Sequence, residues 1–243
     1  MAVFTMKVAG AVAEVHSLFD STRDYCKDYL TEETPEFTIT VTSEDLAFEQ
    51  ADLLAEAKAE GMKPRKFTDP FLDRAAIQRQ FADFLLNRNI LLFHGSTVAL
   101  DGCAYLFTAK CGTGKSTHTR LWREVFPDAQ MVNDDKPFLE ITASGVIAHG
   151  SPWSGKHGLS ENISVPLQGI CILHRGPENK ISPLAPEEAM EMLTAQGYCP
   201  PAPDCSQPFQ HLTETLAHQV PRWRMECTKD PEAARMAREA MKK

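Results

Sequence analysis

The sequence lacks the patterns that identify a disulfide-stapled, zinc-binding or membrane-spanning protein. Its seven cysteines are scattered, with no C-x-x-C pair and no matching histidine spacing, so they indicate neither a zinc site nor a disulfide framework. No apolar run approaches the length that crossing a bilayer requires, and no internal repeat is visible. These absences favour a reducing compartment, and we predict a cytoplasmic protein without a membrane partner.

An excess of positive charge is also missing. The 243 residues include 25 Lys and Arg against 33 Asp and Glu, which gives a formal net charge of −8. A nucleic-acid binder needs a basic face, so we predict no nucleic-acid partner. Residues 1–19 faintly resemble a signal peptide, but Lys7, Glu14 and His16 interrupt the apolar run. We predict strands there instead.

Residues 1–88 are predicted to form a small α+β unit that ends in a linking helix. The expected strands are 2–8 and 37–43, and the expected helices are 21–30 and 44–63. The second of these helices should stop near Gly61, and a third begins at Asp69-Pro70, where proline suits the first turn. This gives a division into 1–88 and a larger second domain, 89–243.

Residues 89–243 are predicted to form an α/β domain with a mixed sheet. Residues 90–100 are predicted as one strand, joined by Asp101-Gly102 to a second strand at 103–109 in a hairpin. A helix at 115–126 and a strand at 129–135 complete a βαβ unit. Its right-handed crossover lays the second strand parallel to the first, which brings Asp134 and Asp135 beside the intervening loop.

That loop, "AKCGTGKSTHT" at 109–119, matches the G-x-x-x-x-G-K-S/T phosphate loop except that Ala109 replaces the first glycine. Glycines let backbone amides turn towards phosphate, Lys115 reaches the β- and γ-phosphates, and Ser116 holds Mg²⁺. We therefore predict ATP and Mg²⁺ as ligands. The predicted nucleotide-binding residues are Cys111, Gly112, Thr113, Gly114, Lys115, Ser116 and Thr117.

The acidic pair Asp134-Asp135 is a weaker signal, because paired acids usually form a solvated turn. Its placement beside the loop favours a role in chemistry. One carboxylate could hold the metal through Ser116 or water, and the other could accept a proton from an attacking hydroxyl.

These residues together resemble the HPr kinase and phosphoenolpyruvate carboxykinase superfamily, particularly stand-alone relatives of the HPr kinase C-terminal domain. The motifs are "HG" at 94–95, "CGTGKST" at 111–117 and "NDD" at 133–135, within a region from Ile90 onwards. The resemblance implies a phosphate loop on a mixed sheet, with Asp134 as general base and Asp135 as metal ligand. It also implies that His94 lies in the site.

The sequence departs from this family at one loop position, where Thr117 replaces the acidic residue that HPr kinase has after the serine. This departure argues against HPr as the substrate. Carboxykinase proper is much longer and carries a second lobe, so oxaloacetate chemistry ranks lowest.

The stretch "GSPWSGKHGLSEN" at 150–162 occupies the place of a catalytic loop in the superfamily. Lys156 could neutralise the transferring phosphoryl group, as a cation must in such reactions. Trp153, His157 and Glu161 are candidate substrate or base contacts, although a solvated loop with a packed tryptophan explains them equally well. His118 is predicted on the helix surface rather than in the chemistry.

Two functions fit these predictions. The first is an ATP-dependent kinase that phosphorylates a hydroxyl of a small molecule, a peptide or a protein serine. The second is a nucleotide-sensing interaction protein that binds ATP without phosphotransfer. Intact Lys115, Ser116 and the acidic pair favour the kinase. A homo-oligomer is left open.

Overall fold

The computed structural model of the protein describes residues 1–59, 61 and 63–242. Its first structural feature is a hairpin with a two-residue turn at Ala9-Gly10. Both turn residues have positive φ, 48° and 83°, which suits a tight hairpin. The turn joins strands β1 (Ala2–Val8) and β2 (Ala11–Ser17), which pair antiparallel. The predicted strand over 2–8 is confirmed.

The chain divides into two compact units, Met1–Phe84 and Leu85–Lys243. In the first, β3 (Phe37–Thr40) pairs parallel with β2. The helices are α1 (Asp20–Tyr25), followed by a 3-10 turn at Lys27–Tyr29, α2 (Ser43–Ala59) and α3 (Asp69–Leu86). Positions 60 and 62 of the predicted second helix lie outside the described residues.

Asp73 ties the first unit together from inside. Its carboxylate is fully buried and accepts hydrogen bonds from the Ser17 hydroxyl, the Leu18 amide and the Thr22 hydroxyl. These donors satisfy a buried charge that would otherwise be costly. The acid in α3 is thereby fixed to β2 and α1.

The second unit is built on a mixed sheet, which has nine strands over the residues that the structure describes. The strands are β4 (Ile90–Leu92), β5 (Ser96–Leu100), β6 (Cys103–Thr108), β7 (Gln130–Asn133), β8 (Phe138–Thr142), β9 (Gly145–His149), β10 (Ser164–Arg175), β11 (Lys180–Pro183) and β12 (Arg222–Cys227). The main order in the sheet is β4-β8-β9-β10-β6-β5-β7, with β12 beside β10 and β11 beside β12.

Helices pack against this sheet, and their side chains form two hydrophobic clusters with those of the strands. Side chains from α5 (Pro186–Gln196) and α6 (Ser206–Gln219) join one cluster, and those from α4 (Lys115–Val125) and α7 (Glu232–Met241) join the other. The unit is therefore α/β. We find no helix in the described part of the chain with the length and hydropathy that crossing a membrane requires.

The predicted hairpin before the loop at 109–119 is confirmed. Asp101 and Gly102 have φ values of 53° and 76° and join β5 to β6. The strand after α4, β7, pairs with β5. Two successive antiparallel pairings leave β7 parallel to β6, as predicted, with β5 between them.

The prediction of one strand over 90–100 is wrong. The chain forms two strands that pair differently: β4 joins β8, whereas β5 joins β6 and β7. Between them, the amides of Phe93, His94 and Gly95 donate to the carbonyls of Pro137, Gln196 and Asp135. These tertiary hydrogen bonds break the strand and bring His94 next to the acidic pair.

Candidate functional site

The glycine loop lies between β6 and α4. Gly112 and Gly114 have φ values of 72° and 126°, a region that residues with a Cβ rarely adopt. The Thr113 amide donates to the Lys110 carbonyl, and the helix begins directly after Gly114. The two glycines are therefore required by the backbone path, independently of any ligand.

Ala109, the departure from the phosphate-loop pattern, fits without strain. Its side chain is buried, and its φ is not in the left-handed region. Lys115, which is also largely buried, donates from Nζ to the Ala109 carbonyl at 3.2 Å. The first glycine of the pattern is thus dispensable here, and the lysine is held across the loop.

Arg175, at the end of β10, contacts the same loop. Its Nη2 donates to the Gly112 carbonyl, and its Nε donates to the Thr113 carbonyl at 3.2 Å. A cavity of about 590 Å³ opens beside these contacts, lined in part by Cys111, Leu173 and Arg175. Sequence reasoning missed this arginine. The available signal was its place at the carboxyl end of a strand, where ligands of α/β sheets bind.

Asn133 organises the segment that follows β7. Its Oδ1 accepts hydrogen bonds from the amides of Asp135 and Lys136 at 2.8 and 2.7 Å, and its Nδ2 donates to the Ser151 carbonyl at 3.0 Å. The buried amide therefore fixes the acidic pair and the loop at 150–162 together. Sequence reasoning quoted Asn133 in the "NDD" motif but gave it no role.

Asp134 is buried and incompletely satisfied. Its Oδ1 accepts a 2.6 Å hydrogen bond from the Gly155 amide, and its Oδ2 has no hydrogen-bond partner among the described residues. Burial raises the pKa of Asp134, and the nearby charge of Asp135 adds to this, against opposing effects of Gly155 and His157. An unpartnered buried oxygen with a raised pKa is suited to accepting a proton.

Asp135 lies in a different environment. Its Oδ1 is 3.4 Å from Nε2 of His94. Burial on its own would raise the pKa of Asp135, but the hydrogen bond and charge of His94, with Lys136 and Lys115, hold it below the ordinary value. Burial lowers the pKa of His94, and Lys136 and Lys115 act in the same direction. The pKa values of the two adjacent acids are therefore shifted in opposite directions, upwards for Asp134 and downwards for Asp135.

Lys115 links the glycine loop to this pair, because its charge acts on both Asp135 and His94. Ser116 and Thr117 occupy the first turn of α4 and are partly buried. The fold thus gathers His94, Lys115 and the acidic pair at one edge of the sheet.

The loop at 150–162 packs over Asp134 through Gly155 and leaves its charged residues outside. Lys156, His157 and Glu161 are exposed, whereas Trp153 is buried with its ring 6.3 Å from that of Phe138. Lys156 follows directly after the amide that binds Asp134. Its side chain is available to a ligand at that place.

The prediction that His118 lies on the helix surface is wrong. The side chain is 2% exposed, its ring is 4.5 Å from that of Phe107, and its Nε2 accepts a 3.2 Å hydrogen bond from Trp122 Nε1. Burial lowers the pKa of His118 to about 4. The face of α4 that carries this residue packs on the sheet, so His118 belongs to the core.

The residues present fit a magnesium ion of the phosphate-loop kind. Mg²⁺ prefers oxygen ligands and usually takes several of them from water and phosphates rather than from a protein cage. Asp135, with its lowered pKa, and the Ser116 hydroxyl offer such oxygens. The described residues contain no group of three or more His, Cys, Asp or Glu side chains that could hold a metal ion by themselves.

Comparison with solved structures shows a distant similarity to the HPr(Ser) kinase/phosphatase from Coxiella burnetii. The sequence identity is 13%, the TM-score is 0.34, and the match covers 62% of this chain and 97% of that chain. No protein-family model matches the chain, and no curated protein matches it. At this level the similarity suggests at most a distant relationship.

Proposed function

We propose that the protein is an ATP-dependent kinase that transfers the γ-phosphoryl group of ATP to a hydroxyl acceptor. The observation that carries this proposal is the buried, unpartnered Oδ2 of Asp134 with its raised pKa. Its neighbour in the sequence, Asp135, is within the electrostatic influence of Lys115 at the end of the glycine loop. An unpaired buried carboxylate oxygen costs stability, and this cost supports a role for Asp134 in chemistry rather than in the fold alone.

In the proposed reaction, ATP lies on the loop amides with Lys115 at its phosphates. Asp134 Oδ2 accepts the proton of the acceptor hydroxyl as the oxygen forms a bond to the γ-phosphorus. The bond between that phosphorus and its bridging oxygen breaks, and the electron pair leaves with ADP. Gly155 keeps the carboxylate oriented through its 2.6 Å hydrogen bond to Oδ1.

His94 and Lys156 have supporting roles in this proposal. His94 holds the Asp135 carboxylate at 3.4 Å and keeps it ionised. Asp135 and Ser116 would hold Mg²⁺, which neutralises charge on the phosphates when it is bound. Lys156 is exposed next to Gly155 and would add positive charge at the transferring group.

The acceptor belongs to the class of alcohols, as a small molecule, a peptide or a protein serine. A panel of such alcohols incubated with Mg-ATP tests the proposal through release of ADP. A kinase releases ADP faster with one acceptor than without any, and Asp134→Asn abolishes that increment. ATP binding without acceptor-dependent ADP release across the panel would instead support the nucleotide-sensing alternative.

A further inference from the structure

We propose that Arg175 is a positioning residue that sets the direction of the loop amides. The residue ends β10, which pairs parallel with β6, so both strands finish at the edge where the glycine loop begins. From there the guanidinium donates to the carbonyls of Gly112 and Thr113. This inference rests on the proposed nucleotide site and adds a residue that no loop motif contains.

Because the peptide bond is planar, the contact of Arg175 with a loop carbonyl also fixes the direction of the amide that follows. In a trans peptide the carbonyl of one residue and the amide of the next point in opposite directions. Holding the Thr113 carbonyl towards Arg175 therefore turns the Gly114 amide away from it. From that side of the loop the Gly114 amide can donate to a phosphate.

The loop needs such an external contact because glycines flank Thr113 on both sides. Gly112 and Gly114 occupy left-handed conformations at 72° and 126°, and glycine has many alternative conformations of comparable energy. Two donors from one rigid guanidinium fork restrict that freedom at two consecutive carbonyls. A lysine carries a single ammonium group and cannot reproduce the fork.

The first test uses the protein without any nucleotide. Amide exchange at Thr113, whose N–H donates to the Lys110 carbonyl, is followed by NMR, and alkylation of the exposed Cys111 is followed by mass spectrometry. Both rates should rise about tenfold in Arg175→Ala and remain raised in Arg175→Lys. The matched control is Arg224→Ala, which removes an exposed arginine from the neighbouring β12.

The second test measures Mg-ATP affinity in the same variants. Arg175→Ala should weaken binding about tenfold, which corresponds to about 1.4 kcal/mol, with the thermal midpoint unchanged. Among turnover parameters, KM for ATP should rise while the pH dependence of transfer stays that of the wild type. A residue that only supported the fold would lower the thermal midpoint instead.

The two tests separate this inference from the kinase proposal. Unchanged Thr113 exchange and Cys111 alkylation in Arg175→Ala overturn the role of Arg175, whatever the protein binds. A loosened loop in a protein whose wild type binds no nucleotide keeps the role of Arg175 in shaping the loop and overturns the proposed function. Unchanged ATP affinity in a variant with a loosened loop overturns the link between Arg175 and the phosphate amides.

Discussion

The Gly155 amide donates a 2.6 Å hydrogen bond to Oδ1 of Asp134, while the second oxygen of that carboxylate remains buried without a partner in the described chain. One oxygen is thus used for orientation, and the other is left for a proton. The neighbouring Asp135 has the opposite character, since His94 and nearby lysines keep its pKa low.

This asymmetry predicts that Asp134→Asn and Asp135→Asn produce different defects. Asp134→Asn should keep Mg-ATP affinity and lose transfer by about 10²–10⁴-fold, because it removes a general base. Asp135→Asn should weaken nucleotide binding only when Mg²⁺ is present. Calorimetric titration with and without Mg²⁺, together with transfer rates, distinguishes them. Normal turnover in both variants would show that the two acids form a turn without a role in the chemistry.

Lys115→Met should weaken ATP binding by about a hundredfold and leave the fold intact. Lys115 is largely buried and donates to the Ala109 carbonyl, so methionine keeps the packing while removing the charge that reaches phosphate. Lys180→Met, at an exposed position of β11, is the control. A folded Lys115→Met protein with wild-type ATP affinity would refute the assignment of the loop.

Cys111 should be alkylated rapidly in the absence of nucleotide and slowly with Mg-ATP. The thiol is exposed in the glycine loop, so bound phosphates would cover it. Cys26 and Cys171 are internal controls: burial raises the pKa of Cys26 to about 12 and that of Cys171 higher still. Mass-spectrometric mapping of iodoacetamide labelling gives the answer. Labelling of Cys111 that ATP does not slow would place the phosphates elsewhere.

Gly150→Ala should destabilise the loop that packs over Asp134. A Cβ at this position would lie 1.8 Å from the Glu161 carbonyl oxygen and 2.8 Å from that of Val132, so the backbone must shift. We expect the thermal midpoint to fall by about 5 °C or more, as overpacking in a chain of this size implies. Ser154→Ala adds no atom to the same loop and should melt like the wild type. Equal midpoints for the Gly150→Ala protein and the wild type would contradict the packing.

Acid should weaken the fold through His118. Burial lowers the pKa of this histidine from 6.5 to about 4 in the folded state, so the unfolded chain binds the proton more readily. The contribution is fully present above pH 6.5 and is lost as the pH falls towards 4, on the order of 3 kcal/mol. In His118→Gln, which can still accept from Trp122, this part of the pH dependence should disappear. An unchanged acid slope in urea unfolding would assign the effect to other groups.

Local sequence signals predicted the elements that local chemistry determines. The Asp101-Gly102 turn and the helix after Lys115 were readable because positive-φ turns and glycine loops have few alternatives. The pairing of strands that are distant in sequence could not be predicted in the same way. The break between β4 and β5 depends on hydrogen bonds to Pro137, Gln196 and Asp135, which are distant in sequence.

The same distinction applies to the site. The acidic pair and Lys115 could be proposed as site residues from the sequence because their residue types and spacing are typical of phosphate-loop chemistry. Arg175 was missed because its role depends on β10 lying next to β6, a pairing of strands about 60 residues apart. His118 was misplaced because periodicity does not reveal that this face of α4 packs against Phe107.

The most direct test of the account is transfer of ³²P from [γ-³²P]ATP to a panel of metabolite and peptide alcohols, run with the wild type and with Asp134→Asn. We expect a labelled phosphate ester of at least one alcohol with the wild type, and loss of that product by at least about a hundredfold with a variant that still binds Mg-ATP. Undiminished transfer by the Asp134→Asn protein would contradict the role of the buried carboxylate, and binding of ATP without any labelled acceptor would contradict the kinase itself.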